Sequence, residues 1–153
     1  MPCDISLGRI EPCKTSTGGL KAVYFVNWGD ATGYTYDSTD TDVIDAVTGT
    51  PSAYKYEIKG NSSFEQAITS SRENGTTFFE QTLNITLKKL SIADHKQIKL
   101  LAYGRPQVIV EDTNGNFFYA GLQHGMEVSG GTIVTGAAMG DLSGYTLVLT
   151  GQE

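Results

Sequence analysis

The hydrophobic and polar positions of the C-terminal half alternate with a period of two, which is typical of a β-strand. The apolar residues that share one face of this stretch are Phe79, Leu83, Ile85 and Leu87. The polar residues on the opposite face are Glu80, Thr82, Asn84, Thr86 and Lys88. The alternation predicts a long strand with one buried face and one solvated face.

After residue 90 the pattern changes to one that favours a short helix. Ser91 stands three residues before Asp94, as in a capping box, and Gly104 provides an end point. A helix is therefore predicted over residues 91–103. Its apolar positions, which are expected to pack against the sheet, are Ile98, Leu101 and Ala102.

Apolar and β-branched runs predict further strands before this region. Residues 20–28 form a mostly apolar run next to glycines, which indicates a central strand. Residues 54–58 alternate in the manner of an edge strand, and its end is expected at Gly60 and Asn61. Residues 64–71 fit either a helical turn or a strand. A hairpin turn into the long strand is predicted at Glu73, Asn74 and Gly75.

The last third of the chain predicts two more strand pairs. A hairpin turn is expected at Asn114 and Gly115, because apolar runs flank them and these residue types tolerate a positive φ. Residues 126–134 and 145–150 are predicted to be the last strands and to pair with each other.

The segment 30–51 has a different composition, rich in Asp, Thr, Ser and Gly with few apolar anchors. It is predicted to be a long loop or arm, with a flexible excursion or an unrecognised hairpin as the alternatives. Loops of this length are uncommon in compact domains unless they bind something. The segment is therefore a candidate contact element, and its candidate subunit-contact residues are Tyr34, Tyr36, Val43, Ile44 and Val47.

The composition supports a β-rich fold with many turns. The 153 residues include 18 glycines but 4 prolines, together with 8 Tyr, 6 Phe and 1 Trp. The expected fold is mainly β, a β-sandwich or small β-barrel of antiparallel strands with one flanking α-helix. A chain of this length fits a single domain over residues 1–153, with an N-terminal segment over residues 1–18.

The sequence contains no recognisable catalytic set. Neither His95 nor His124 has an acidic or cysteine partner at ligand spacing, and no nucleophile motif is present. Cys3 and Cys13 do not match the spacing of a zinc site, so one disulfide and two thiols both stay open. We therefore expect a protein that is not an enzyme and that holds neither a metal nor a cofactor.

The charge and hydropathy of the chain exclude some partners. Seventeen acidic and eleven basic residues give a net charge of −6, which argues against tight binding to a phosphate backbone. No apolar run of about 18 residues is present, and no apolar segment follows Met1. The sequence therefore predicts neither a membrane helix nor a signal peptide. The protein is expected to be synthesised in a cytoplasm.

In this order of elements the chain resembles the tail-tube proteins of tailed bacteriophages and of related contractile injection systems. The resemblance rests on the long strand over 77–87, the helix over 91–103, the hairpin at Asn114 and Gly115, and the closing stretch 140–147. It implies a virion structural protein that assembles with itself, as hexameric rings stacked into a tube, and with other tail proteins. DNA would pass through the lumen during ejection without tight binding. No membrane is implied, and the virion would be assembled in the bacterial cytoplasm.

The acidic balance fits a lumen that repels passing phosphates. The candidate lumen-facing residues are Glu80, Glu111 and Asp112, whereas the lysines expected outside the lumen or at the joints are Lys88, Lys89, Lys96 and Lys99. Two alternatives remain. One is another phage structural component, such as a tail terminator, a head–tail connector or a decoration protein. The other is a stand-alone β-sandwich binding module.

Overall fold

The computed structural model describes residues 3–58 and 61–153. Within them the predicted fold class is confirmed, because the chain is mainly β, with antiparallel sheets and one α-helix. In chain order the elements are β1 (Leu20–Val26), β2 (Ala31–Tyr36), β3 (Ile44–Gly49), β4 (Ala53–Glu57), β5 (Ser63–Ser71), β6 (Thr76–Lys88), α1 (Ile92–Tyr103), β7 (Gln107–Asp112), β8 (Phe117–Ala120), β9 (Glu127–Val134) and β10 (Gly144–Gln152).

The first sheet has four antiparallel strands in the order β4-β1-β7-β8. The prediction of a central strand at β1 is confirmed, and so is the prediction of an edge strand at β4. The hairpin turn between β7 and β8 is also confirmed, with Gly115 at a positive φ of 86°. The expected end of the edge strand is at Gly60 and Asn61, of which Gly60 lies outside the described residues; β4 ends earlier, at Glu57.

The second sheet has four antiparallel strands in the order β5-β6-β10-β9. The ambiguous stretch 64–71 is a strand, and Gly75 forms the β5–β6 turn with a φ of 65°. The predicted pairing of the last two strands is confirmed, since Tyr145 lies opposite Ile133. The predicted long strand is β6, which has 13 residues and pairs with β5 on one side and β10 on the other.

The core lies between these two sheets. The first sheet contributes Val23, Phe25, Val108 and Val110, and the second contributes Leu83, Ile85, Leu147 and Leu149, all of which are buried. Each set occupies alternate positions along its strands, because only one face of each sheet contacts the other. Burial of such side chains stabilises the fold by about 1.5–3 kcal/mol each.

The predicted helix is confirmed with the predicted caps. The Ser91 side chain accepts a hydrogen bond from the backbone N–H of Asp94 at 3.1 Å, and the Gly104 N–H donates to the last turn. Ile98 is buried and Leu101 packs against the core, as expected. The expectation for Ala102 is wrong, because this residue is exposed. No helix in the described residues is long and apolar enough to cross a membrane.

The segment 30–51 contains a β-hairpin, so the expectation of an irregular loop is wrong and the hairpin alternative is confirmed. Strands β2 and β3 pair with each other and form a separate two-stranded sheet. At the tip, the Asp37 carboxylate accepts hydrogen bonds from the N–H groups of Thr39 and Asp40, which lower its pKa. The sequence signal is weak because backbone pairing, rather than apolar alternation, holds these strands together.

Candidate assembly interface

The outer face of the second sheet is a broad polar surface, here called the polar face. The register pairs Thr82 with Thr150, and Thr86 with Thr146, on the side of the sheet opposite the buried leucines. The hydroxyls of Thr132 and Thr146 hydrogen-bond across β9 and β10. Polar side chains therefore predominate on this face, which also carries the apolar Phe78 and Val148.

Acidic residues dominate the charge of the polar face. Glu80 lies opposite Ala67 and Gln152, and Glu65 lies opposite Thr82. Glu127 lies opposite Thr150 and lines, with Glu80, a cavity of about 490 Å³. The acidic residues of the polar face are therefore Glu65, Glu80 and Glu127. Lys88 shares the face, but it lies eight residues from Glu80 along β6, roughly 27 Å away.

The other two candidate lumen residues lie elsewhere. Glu111 is on β7 of the first sheet, where its carboxylate is 3.6 Å from the Lys21 ammonium and 3.4 Å from the Tyr24 hydroxyl. Asp112 accepts hydrogen bonds from the backbone N–H groups of Asn116 and Asn114 at the β7–β8 turn. These bonds, led by that of Asn116, lower the pKa of Asp112. The structure does not bring Glu80, Glu111 and Asp112 onto one face.

The remaining candidate lysines lie at the helical end of the molecule. Lys89 follows β6, and Lys96 and Lys99 are exposed positions of α1. Lys89 has a φ of 66°, a backbone conformation that favours a turn, and its N–H donates to the Ser143 carbonyl at 2.7 Å. These lysines are therefore separated from the end of the polar face where Glu80 and Glu127 lie.

Neither edge of the second sheet pairs with a further strand in the described part of the chain, although α1 lies beside β9 and the β9–β10 pairing contains a register shift. β5 and β9 have 9 and 8 residues, and neither contains a proline or a lysine. Natural edge strands usually carry such residues, because an unblocked edge offers unpaired N–H and C=O groups to another chain. Two long unblocked edges on one sheet are typical of strands that pair with a neighbouring subunit.

The turn end of the β5–β6 hairpin is exposed on the face that points inward. Ile68 and Phe79 lie opposite each other on the side that faces inward, but they are 70% and 42% exposed. The first sheet does not cover them, since its strands have only 4 to 7 residues. The hairpin therefore carries an uncovered apolar pair beside the open edge.

A polar network anchors the β2–β3 hairpin to the first sheet. The Gln107 side-chain amide donates to the Tyr34 hydroxyl at 2.7 Å and to the Leu122 carbonyl at 2.9 Å. The Tyr119 hydroxyl donates to the Gln107 side-chain oxygen at 2.9 Å, and the two tyrosine rings pack edge to face. Burial, with a contribution from Tyr34, raises the pKa of Tyr119. The Tyr34 side chain therefore makes its contacts within its own chain.

The other candidate contact residues lie around an open cleft between this hairpin and β7–β8. The cleft has a volume of about 840 Å³, and its lining includes Tyr36, Val43, Ile44, Val47, Phe117 and Phe118. Four of these are prominently exposed: Tyr36, Val43, Phe117 and Phe118. Gln107 and Tyr119 were not predicted, because no local pattern links them to residue 34.

No family model matches this chain, and neither a curated protein nor a solved structure is significantly similar to it. The polar face, the edges of the second sheet, the exposed apolar pair and the cleft are the observations that bear on function.

Proposed function

We propose that this protein is a virion structural protein, a tail-tube subunit whose rings stack into a conduit for DNA during ejection. The observation that carries the proposal is the second sheet, which combines an acidic hydroxyl-rich face with two open edges. In a ring, β5 of one copy would pair with β9 of the next. The polar face would then line the lumen, and the exposed Ile68 and Phe79 would be covered by a neighbour.

The dimensions of such a ring suit a duplex. Six four-stranded sheets, at about 4.8 Å per strand, have a circumference of about 115 Å and a diameter of about 37 Å between opposite backbones. Inward side chains narrow this opening but leave it wider than DNA. The carboxylates of the polar face repel phosphates, which favours passage over binding. The chain performs no chemistry on the DNA and requires no cofactor for this role.

The test is assembly of the purified protein, observed by light scattering and negative-stain microscopy. We expect rings or tubes from the natural sequence. Ile68→Lys on β5 and Ile133→Lys on β9 place a charge at each open edge, and both positions are exposed in the single chain. These variants should remain folded monomers, whereas Ile92→Lys, on the exposed face of α1, should assemble normally.

Two results would contradict the proposal. A natural protein that stays monomeric at high concentration would rule out a ring, and normal assembly of both edge variants would rule out edge pairing. Another virion component, such as a tail terminator, connector or decoration protein, would assemble only on a partner. Addition of other virion proteins would then be needed to bring it into particles.

The aromatic cleft favours a second candidate, a stand-alone β-sandwich binding module. Tyr36, Phe117 and Phe118 present ring surfaces of the kind that stack on sugars or peptides. A monomer that binds a glycan, and loses that binding on Phe117→Ala, would support the module. The same substitution should leave ring closure intact in a tube subunit, because β8 lies in the other sheet.

A further inference from the structure

The N-terminal segment extends from the body with its side chains exposed. Every residue from 3 to 19 is exposed. The segment is attached at Thr17, whose N–H donates to the Asn114 side chain at 2.9 Å and whose hydroxyl is 3.0 Å from that of Thr113. Residues 3–14 lie before this attachment. They are called the arm from here on, whereas the segment 30–51 is called only the β2–β3 hairpin.

The arm carries three large apolar side chains without cover. Ile5, Leu7 and Ile10 are 94%, 86% and 91% exposed. Ile5 and Leu7 are two residues apart and so share one face in an extended conformation. Exposed apolar side chains concentrated in one extended segment indicate a docking element for another surface.

An apolar groove lies beside α1 and β4, and it is here called the aromatic groove. It has a volume of about 500 Å³, and its lining includes Phe25, Trp28, Tyr54, Tyr56, Leu100 and Leu101. Trp28 is 40% exposed, and Tyr54 and Leu100 are each 56% exposed. The Arg105 guanidinium lies 3.9 Å from the centre of the Trp28 ring and holds that ring in place at one end.

The arm and the aromatic groove lie at opposite ends of the first sheet. The arm leaves beside the β7–β8 turn, where β1 begins and Leu20 pairs with Asp112. The groove lies where β1 ends, near Phe25 and Trp28. An extended arm of twelve residues reaches about 40 Å. One copy placed end to end on another therefore brings the arm of the first to the groove of the second.

We infer that the arm of one copy docks in the aromatic groove of a second copy, with Ile5 and Leu7 covered by its aromatic side chains. β4 is an edge strand in the described residues, so its open side can accept the extended arm as an added strand. This contact rests on the proposed function insofar as it would join stacked rings. It uses neither β5 nor β9, and it is therefore separate from ring closure.

The single tryptophan of the chain provides a reporter inside the groove. The receptor is the full-length chain carrying Ile5→Asp, Leu7→Asp and Ile10→Asp, so that its own arm cannot compete. The probe is a peptide of residues 4–12, which contains no aromatic residue and no cysteine. We expect saturable binding with a shift in Trp28 emission. A peptide with the same three substitutions should bind about tenfold more weakly or worse.

A groove variant tests where the peptide binds. Leu100→Asp in the receptor should weaken binding, whereas Ile92→Asp, at an exposed position of the same helix, should not. No emission shift on addition of the peptide, or equal affinity for the Leu100→Asp receptor, would overturn the assignment.

Microscopy separates this inference from the proposed function. The triple arm variant should form single rings that do not stack. Its matched control adds three aspartates at exposed polar positions outside the arm, Thr15, Ser16 and Ser38, and should form tubes. Tubes of normal length from the triple arm variant would reject the arm as a joint and leave the ring proposal standing. Peptide binding by a protein that never forms rings would support the arm contact and reject the tube.

Discussion

The Tyr145 hydroxyl donates a hydrogen bond to the Ser91 carbonyl oxygen at 3.1 Å and accepts one from the Ser91 N–H at 3.3 Å. Tyr145 is 1% exposed and lies on β10, next to the long strand β6. Ser91 is the N-cap of α1. One buried phenol therefore fixes the start of the helix against the sheet that carries the polar face.

Tyr145→Phe should remove both hydrogen bonds while keeping the ring. The Ser91 backbone groups would lose a partner at a partly buried site, so we expect the free energy of unfolding to fall by about 1–3 kcal/mol. Urea denaturation followed by circular dichroism measures this change. Tyr103→Phe is the matched control, since Tyr103 is exposed at the other end of α1. Equal stability of the two variants would contradict the anchoring role.

The contact between α1 and the core depends mainly on Ile98. Because Ile98 is buried among core residues, Ile98→Ala should cost about 2–4 kcal/mol of folding free energy. Leu101→Asp should also destabilise, since Leu101 packs against the core, but its partial exposure reduces the cost below that of a fully buried charge. Lys96→Ala, on the exposed side, is the control. Thermal melts in which Ile98→Ala matches Lys96→Ala would show that the helix packs on another face.

The limits of the helix could be predicted from sequence because its caps are local. Ser91 and Gly104 act on backbone groups within one turn, so their positions suffice. Whether Ala102 is covered depends instead on how the helix rests on the sheet, which local spacing does not determine. The β2–β3 hairpin was predicted only as an alternative, for a related reason. Its anchor joins Tyr34 to Gln107, 73 residues away, and neither residue type indicates the other.

Gln107 is the central residue of that anchor and is 3% exposed. Gln107→Leu should leave the hydroxyls of Tyr34 and Tyr119 without their amide partner and cost about 1–3 kcal/mol. We also expect faster hydrogen exchange in β2 and β3, while the two large sheets keep their protection. Gln123→Leu, at an exposed position, is the control. Unchanged exchange in the hairpin would mean that the network does not hold it.

The Asp112 carboxylate stabilises the β7–β8 turn in its ionised form. Its pKa is lowered in the folded state by hydrogen bonds from Asn116 and Asn114. The stabilisation is therefore present above the unfolded pKa of about 3.9 and is lost as pH falls through the lower folded value. Melting temperatures of Asp112→Ala and the natural protein should differ at pH 6 and converge toward pH 2. A difference that persists unchanged at the acidic limit would contradict this role.

The charge of the polar face should decide whether assembled protein holds DNA. Replacing Glu65, Glu80 and Glu127 by lysine changes three carboxylates on that face into ammonium groups. Replacing Asp42, Asp45 and Glu73 by lysine changes the net charge equally at exposed positions outside the polar face and outside the proposed arm contact. We expect assemblies of the first variant to bind duplex DNA with an affinity that falls steeply with salt, because bound phosphates release counterions. The natural protein should show no binding at low salt. If the control variant binds as tightly as the polar-face variant, net charge alone accounts for binding, and the polar face has no special relation to the path of DNA.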